Sequence, residues 1–143
     1  MGIEENKTVV LKFNAGMAKG DTSVIDELTT PGFVQHNLTL EIDSDRDTTR
    51  QSNKRAHIGL SDVSLELEDI VAEGDTVAVR WTFTAKHTGK MFSVSPTNAD
   101  INTARVMFFR LENGKIAELW MLNDFLKLFQ DMGVLPPLNE IGK

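Results

Sequence analysis

Hydrophobic residues near the start of the chain recur at the spacing of an α-helix. Val9, Val10, Phe13 and Met17 fall on one face if residues 4 to about 19 are helical. A glycine follows at the point where helices commonly end. The pattern therefore predicts a long amphipathic helix at the beginning of the domain.

Two further helices are predicted before the middle of the chain. Asp21 is placed as the N-cap of a short helix that carries Val24 and Leu28 on one face, and Pro31 closes this helix. Residues 48–58 are polar and charged, and we predict a surface helix there. His57, which lies in that helix, is expected to be solvated.

The hydrophobic period changes to two at residue 63, which is typical of strands. The alternating apolar residues are Val63, Leu65 and Leu67 in one strand and Val77, Val79, Trp81 and Phe83 in the next. Further strands are predicted at 101–111 and 116–122, joined by an Asn-Gly turn. Residues 33–36 form a short extended segment, and a last helix covers about 124–132. Helices thus precede an antiparallel meander, which predicts an α+β fold.

We expect a cone in which a curved antiparallel sheet wraps around the N-terminal helices. Such a sheet encloses a pocket if the helices do not fill its concave side. The chain has 143 residues, which is the length of a single domain. We therefore predict one domain over residues 1–143 with one ligand pocket.

Composition excludes several classes of function. The chain has no cysteine, so disulfides, thiolate nucleophiles and thiolate metal sites are excluded. Its net charge is -6, which argues against a nucleic-acid partner. No apolar run approaches the roughly 20 residues that span a membrane, and the N-terminus lacks the apolar core of a signal peptide. We expect a cytoplasmic protein.

Four segments carry a family resemblance. They are KGD at 19–21, FVQHN at 33–37, VRWT at 79–82 with HTG at 87–89, and NGKIAELW at 113–120 followed by Asp124 and Gly133. In this order and spacing they resemble the SnoaL-like polyketide cyclases, or ester cyclases, of the nuclear transport factor two-like superfamily. The resemblance covers about residues 5–137.

The resemblance implies a cone-shaped fold that is often dimeric and uses neither a metal nor an organic cofactor. The namesake of the family closes a ring by an intramolecular aldol condensation, in which a carboxylate removes a proton from a carbon flanked by carbonyls. Asp124, four residues after Trp120, matches that carboxylate. Many relatives have histidine directly before the tryptophan, whereas this chain has Leu119, which removes one polar partner from the pocket.

Asp124 has two interpretations from the sequence alone. Its apolar surroundings, Met121, Leu122, Phe125 and Phe129, would desolvate the carboxylate and raise its pKa, as a general base requires. Alternatively, Asp124 caps the last helix by accepting backbone N–H bonds, which would lower its pKa.

The remaining candidates also have two interpretations each. His36 either relays a proton or polarises a carbonyl, or it is a hydrogen-bonded structural histidine. His87 either lies at the pocket rim or is a structural residue at the edge of the sheet. Arg80 holds an enolate or carboxylate if its face is concave, and lies at the surface or in a dimer interface if it is convex. Trp120 is a pocket wall or a core residue, and Phe33 is predicted to contact the substrate beside it.

We therefore expect a cofactor-independent cyclase or isomerase that acts on a small hydrophobic carbonyl compound, with Asp124 as the base and His36 or Arg80 at the oxygen. The alternatives are a non-enzymatic ligand-binding module and a hydrolase of the epoxide-opening type. No His-x-His or His-Glu-x-x-His pair supports a metal site. We also expect a homodimer formed through the convex face of the sheet.

Overall fold

A computed structural model describes residues 2–142. The helices are α1 (Ile3–Lys19), α2 (Ser23–Leu28), α3 (Arg46–Gly59) and α4 (Phe125–Asp131), with a 3-10 turn at Leu138–Glu140. The strands are β1 (Thr29–Asn37), β2 (Ile42–Ser44), β3 (Leu60–Glu73), β4 (Thr76–His87), β5 (Asp100–Glu112) and β6 (Lys115–Asn123). The predicted α+β fold class is confirmed.

Local signals explain where the helices begin and end. Gly20 adopts a left-handed φ of 77°, and its N–H bonds back to the end of α1. Asp45 caps α3, because its Oδ1 accepts a hydrogen bond from the Thr48 N–H at 2.9 Å. This cap starts α3 two residues before the predicted position. None of the helices within residues 2–142 has the length and hydrophobicity needed to cross a membrane.

The six strands form one sheet in the order β2-β1-β6-β5-β4-β3. Strands β3 to β6 form the predicted antiparallel meander, but β1 pairs in parallel with β6. The predicted antiparallel sheet thus contains one parallel pair, between β1 and β6, that the sequence did not indicate. The chain passes through α3 and four strands before it returns beside β1, so no hairpin forces the two strands to run in opposite directions.

The sheet bends because its long strands contain irregularities. The β3–β4 register shifts twice, between residues 61 and 64 and between residues 67 and 69. Asp62 lies at the first shift with a φ of 52°, which is unusual for a residue other than glycine. Such bulges increase strand bending and twist. The concave side of the sheet is thereby opened for the helices.

The core occupies the concave side in two clusters. In the first, Phe13 of α1 packs edge-on against Phe109 of β5, with ring centroids 6.1 Å apart. In the second, Leu128 of α4 packs with Phe83 and Ile101 of the sheet. The space between these clusters is the cavity described below.

Candidate active site

A cavity of about 710 Å³ lies between the concave face of the sheet and helices α1, α3 and α4. Much of its wall is apolar, with Phe13 and Met17 from α1, Met107 and Met121 from the sheet, and Leu128 from α4. This size and lining are typical of small-molecule sites. The cavity therefore fits an apolar compound whose polar groups meet a few polar side chains.

Asp124 lines this cavity at the junction of β6 and α4. Its Oδ1 accepts a hydrogen bond from the Lys127 N–H at 3.0 Å, so it is also the N-cap of α4. The side chain is exposed, and Leu122 projects from the sheet with 52% of its surface exposed. The dry apolar surroundings predicted for Asp124 are therefore not present, although its position at the cavity is.

Arg105 and Asn123 stand opposite each other on β5 and β6, both lining the cavity. The Arg105 guanidinium carbon lies 4.6 Å from the centre of the Phe83 ring, which is a cation–π contact. Burial lowers the pKa of the Arg105 guanidinium to about 10, so it stays protonated near neutral pH. Within residues 2–142, neither Arg105 Nε nor Asn123 Oδ1 has a hydrogen-bond partner.

Helix α3 supplies the opposite polar wall. Asn53 Nδ2 and His57 Nε2 both donate a hydrogen bond to the Met17 carbonyl, at 2.9 and 3.0 Å. That carbonyl lies in the last turn of α1, where it also accepts a hydrogen bond from the Gly20 N–H at 3.1 Å. His57 is thus a bridge between two helices at the cavity, and the expectation that it is solvated was wrong. Asn53 Oδ1 and the buried Thr49 hydroxyl lack a partner among residues 2–142.

His36 and Trp120 lie on the other side of the sheet. His36 Nδ1 is 2.7 Å from Asp43 Oδ1, and His36 Nε2 is 2.6 Å from Glu118 Oε2. The bond to Glu118, and then Asp43, raises the pKa of the His36 imidazole. Neither His36 nor Trp120 lines the cavity, so the structure does not bring them to Asp124. Their predicted contact with substrate beside Asp124 is therefore corrected.

Arg80 lies on the convex face as well. Its Nη2 is 2.7 Å from Asp69 Oδ2, and both side chains are largely exposed. The convex alternative for Arg80 is the one that the structure shows, and Arg80 does not line the cavity.

His87 and Phe33 are buried in the fold and do not line the cavity. The His87 Nδ1 accepts a hydrogen bond from the Thr97 N–H at 3.2 Å and lies 2.8 Å from the Thr97 hydroxyl. Phe33 packs on Phe13 with ring centroids 6.3 Å apart. Both have structural positions, so the prediction that they contact substrate is corrected too.

The sequence offered a signal for Arg105 that the prediction did not use. Arg105 alternates in step with the residues that form the buried face of β5, which are Met107, Phe109 and Leu111. A charge on an apolar face points toward the interior, where it needs a partner. Among residues 2–142, no group of three or more His, Asp or Glu side chains is placed to hold a metal ion.

Comparisons with known proteins agree with this architecture. The family model for SnoaL-like polyketide cyclases matches residues 7–132, and the chain belongs to this family. Membership supports a role of the cyclase type. No curated protein matches the sequence significantly.

Several solved structures share the fold. AclR from Streptomyces galilaeus, a proposed hydroxylase, is 26% identical with a TM-score of 0.87, over 98% of this chain and 88% of AclR. TsrD from Streptomyces laurentii is 24% identical with a TM-score of 0.83, over 94% of this chain and 99% of TsrD. A proposed SnoaL-like polyketide cyclase from Jannaschia sp. CCS1 is 22% identical with a TM-score of 0.85, over 94% of this chain and 95% of that protein. Because two different reactions are named on one fold, the reaction must be argued from the cavity.

Proposed function

We propose that this protein is a cofactor-independent cyclase or isomerase that removes a proton from carbon beside a carbonyl group, with Asp124 as the general base. The observation that carries this proposal is the position of Asp124 at an apolar cavity of about 710 Å³. Its Oδ1 is fixed by the Lys127 N–H, and no other donor within residues 2–142 bonds to the carboxylate. A fixed carboxylate with a free oxygen can accept a proton from a bound substrate.

A second carboxylate lines the cavity but is less suited to this role. Asp43 is bonded to the His36 imidazole at 2.7 Å, so protonating Asp43 would weaken an existing ion pair. Asp124 has no cationic partner within 4.0 Å among residues 2–142. Asp124 is therefore the better candidate for the base.

Ring closure would proceed by an aldol step. The C–H bond breaks, its proton moves to Asp124, and its electron pair forms an enolate. The enolate carbon then bonds to a second carbonyl carbon of the same molecule, whose C=O π bond breaks to give an alkoxide. The alkoxide takes the proton from Asp124 and becomes a hydroxyl, which restores the carboxylate. The bound substrate is folded by the apolar wall, which holds its two reacting carbons close together.

The hydrolase alternative fits the cavity less well. Epoxide opening of this type needs a carboxylate–arginine–carboxylate set, but the strand neighbours of Arg105 are Trp81 and Asn123. The binding-module alternative predicts saturable binding without chemistry, and the experiment below separates it from catalysis.

Exchange of carbon-bound hydrogen in D₂O tests the proposal directly. A panel of bicyclic aromatic ketones, beginning with 2-tetralone, is incubated with the protein, and loss of the α-proton signal is followed by NMR. We expect faster exchange with the wild type and about a 10²–10⁴-fold loss in Asp124→Asn. Asp45→Asn is the matched control, because Asp45 caps α3 in the same way but does not line the cavity. Binding of the ketones without enhanced exchange would identify a binding module and refute the proposal.

A further inference from the structure

We propose that the ligand of this cavity carries a carboxylate group bound by Arg105, attached to an apolar body. This inference deepens the proposed function by naming the substrate class, and it rests on that function only in placing the substrate in this cavity.

The Arg105 guanidinium lacks an anionic partner in the folded chain. No carboxylate within residues 2–142 lies within 4.0 Å of it. Arg46, Arg50, Arg80 and Arg110 each have at least one, and Arg55, which has none either, is exposed. No hydrogen bond joins its five N–H donors to a protein acceptor in the described part of the chain, and its Nε is buried. A cation that is partly withdrawn from water and has no anionic partner is suited to bind an anion.

The surroundings of Arg105 hold it in place for a ligand. The Phe83 ring lies under the guanidinium at 4.6 Å and covers one of its faces. This contact replaces part of the lost hydration of the cation but supplies no hydrogen-bond acceptor. The N–H groups of the guanidinium therefore remain available to a carboxylate, which matches the planar geometry of arginine.

The neighbours of Arg105 indicate which group the ligand carries next to its carboxylate. Asn123 faces Arg105 across the β5–β6 pair, and its buried Oδ1 lacks a donor within residues 2–142. A hydroxyl or enol beside the carboxylate would satisfy this oxygen. The Asp124 N–H bonds to the Ala104 carbonyl at 3.4 Å, so the base lies at the same end of the strand pair as Arg105. A ligand anchored at Arg105 would thus bring its adjacent carbons toward Asp124.

The charge balance of the cavity favours a monoanion over a phosphate. Lys90 and Arg55 are exposed residues of the lining, whereas Arg105 is half-buried and its Nε is shielded from solvent. A single partly buried cation matches the single charge of a carboxylate. Asp124 would repel the second charge of a phosphate.

Binding of an acid and of its neutral amide tests the inference. Isothermal titration calorimetry compares 2-naphthoate with 2-naphthamide, which have the same apolar body. We expect the wild type to bind the acid at least about tenfold more tightly, as a hydrogen-bonded charge pair provides. Arg105→Gln should remove this preference while leaving the affinity for the amide nearly unchanged. Arg105→Lys, which keeps the charge, should retain part of the preference.

Arg80→Gln is the control, because it removes an arginine from the convex face of the same sheet and should leave the preference for the acid intact. Equal affinity for acid and amide in the wild type, no binding of the acid at millimolar concentration, or a preference that survives Arg105→Gln would each overturn the inference. Acid preference without proton exchange would refute only the proposed catalysis, whereas exchange without acid preference would refute only this inference.

Discussion

The His36 imidazole stacks on the Trp120 indole, with ring centroids 5.4 Å apart and planes at 23°, on the side of the sheet that faces away from the cavity. The two residues are also register partners in the parallel β1–β6 pair. Glu118, two residues before Trp120, bonds to His36 at 2.6 Å and to Arg110 at 3.1 Å. The histidine is therefore part of an ion-pair network that joins β1 to β6 and β5.

This network predicts a pH-dependent contribution to stability. The pKa of His36 is raised above its ordinary 6.5, chiefly by the bond to Glu118, so its contribution is complete below pH 6.5 and is lost as the pH rises through the folded-state pKa. The pKa of Glu118 is lowered below its ordinary 4.5, chiefly by His36, so its contribution is present above pH 4.5 and is lost as the pH falls through the folded-state value. The contribution of the pair is therefore largest between these two ordinary values.

Urea unfolding of the wild type and His36→Gln at pH 5.5 and pH 8.5 checks this prediction. The variant should be less stable at pH 5.5, and the difference in the free energy of unfolding should shrink at pH 8.5. In a Glu118→Gln background most of that pH dependence should disappear, because the main cause of the raised pKa is gone. A difference that is the same at both pH values would contradict the assignment.

The convex face predicts a homodimer. Val71 and Phe108 are 63% and 48% exposed, and they lie in one row across the sheet with Ala78 and Trp120. The row is open to solvent at Val71 and Phe108, and an exposed apolar surface of this kind is typical of an interface. Two copies related by a twofold axis would bury it.

Analytical ultracentrifugation at micromolar concentration checks the dimer. Phe108→Glu should weaken it at least about tenfold, since it places a charge on an apolar contact. Leu138→Glu is the matched control, because Leu138 is 66% exposed but lies outside the sheet. A wild-type monomer, or equal effects of both variants, would argue against this interface.

The elements could be predicted from the sequence because their apolar residues keep a clear period. The sequence could not predict which side chains of β6 face the cavity, since the strand contains an unbroken apolar run, Leu119, Trp120, Met121 and Leu122. Only the register with β1 and β5 shows that Trp120 faces away from the cavity. The predicted roles of His36 and Trp120 required both side chains to face the cavity.

The parallel pairing of β1 was also beyond local reasoning. Nothing in residues 29–37 indicates that their partner lies some 80 positions later in the chain. Asp124 lines the cavity, while the pattern alone left its role as cap or base open. The structure shows the cap, and because capping uses one oxygen and leaves the other free, the role as base stays a prediction.

The close contact of Gly89 with α3 predicts a sensitive position beside the cavity. A Cβ at Gly89 would lie 1.9 Å from the Ile58 carbonyl oxygen, and the Gly89 N–H bonds to Gly59 at 3.0 Å. Gly89→Ala should therefore destabilise the fold by about 1–3 kcal/mol, as overpacking does. At Gly32 a Cβ meets nothing within 4 Å, so Gly32→Ala should change the free energy of unfolding by less than about 0.5 kcal/mol. Urea unfolding of both variants checks this prediction. Equal free energies of unfolding for the two variants would contradict it.

Asp124 allows its capping and its proposed catalysis to be separated by two substitutions. Asparagine is as good an N-cap as aspartate, so Asp124→Asn should keep the bond to the Lys127 N–H and leave the thermal midpoint nearly unchanged. Asp124→Ala removes the cap and should cost about 1 kcal/mol. Because neither variant has a carboxylate, both should lose proton exchange to the same extent. Asp45→Ala should show the loss of stability without the full loss of exchange, since it removes a cap outside the cavity lining. If exchange instead followed stability across these variants, Asp124 would act only as a helix cap, and the base would have to be sought elsewhere in the cavity.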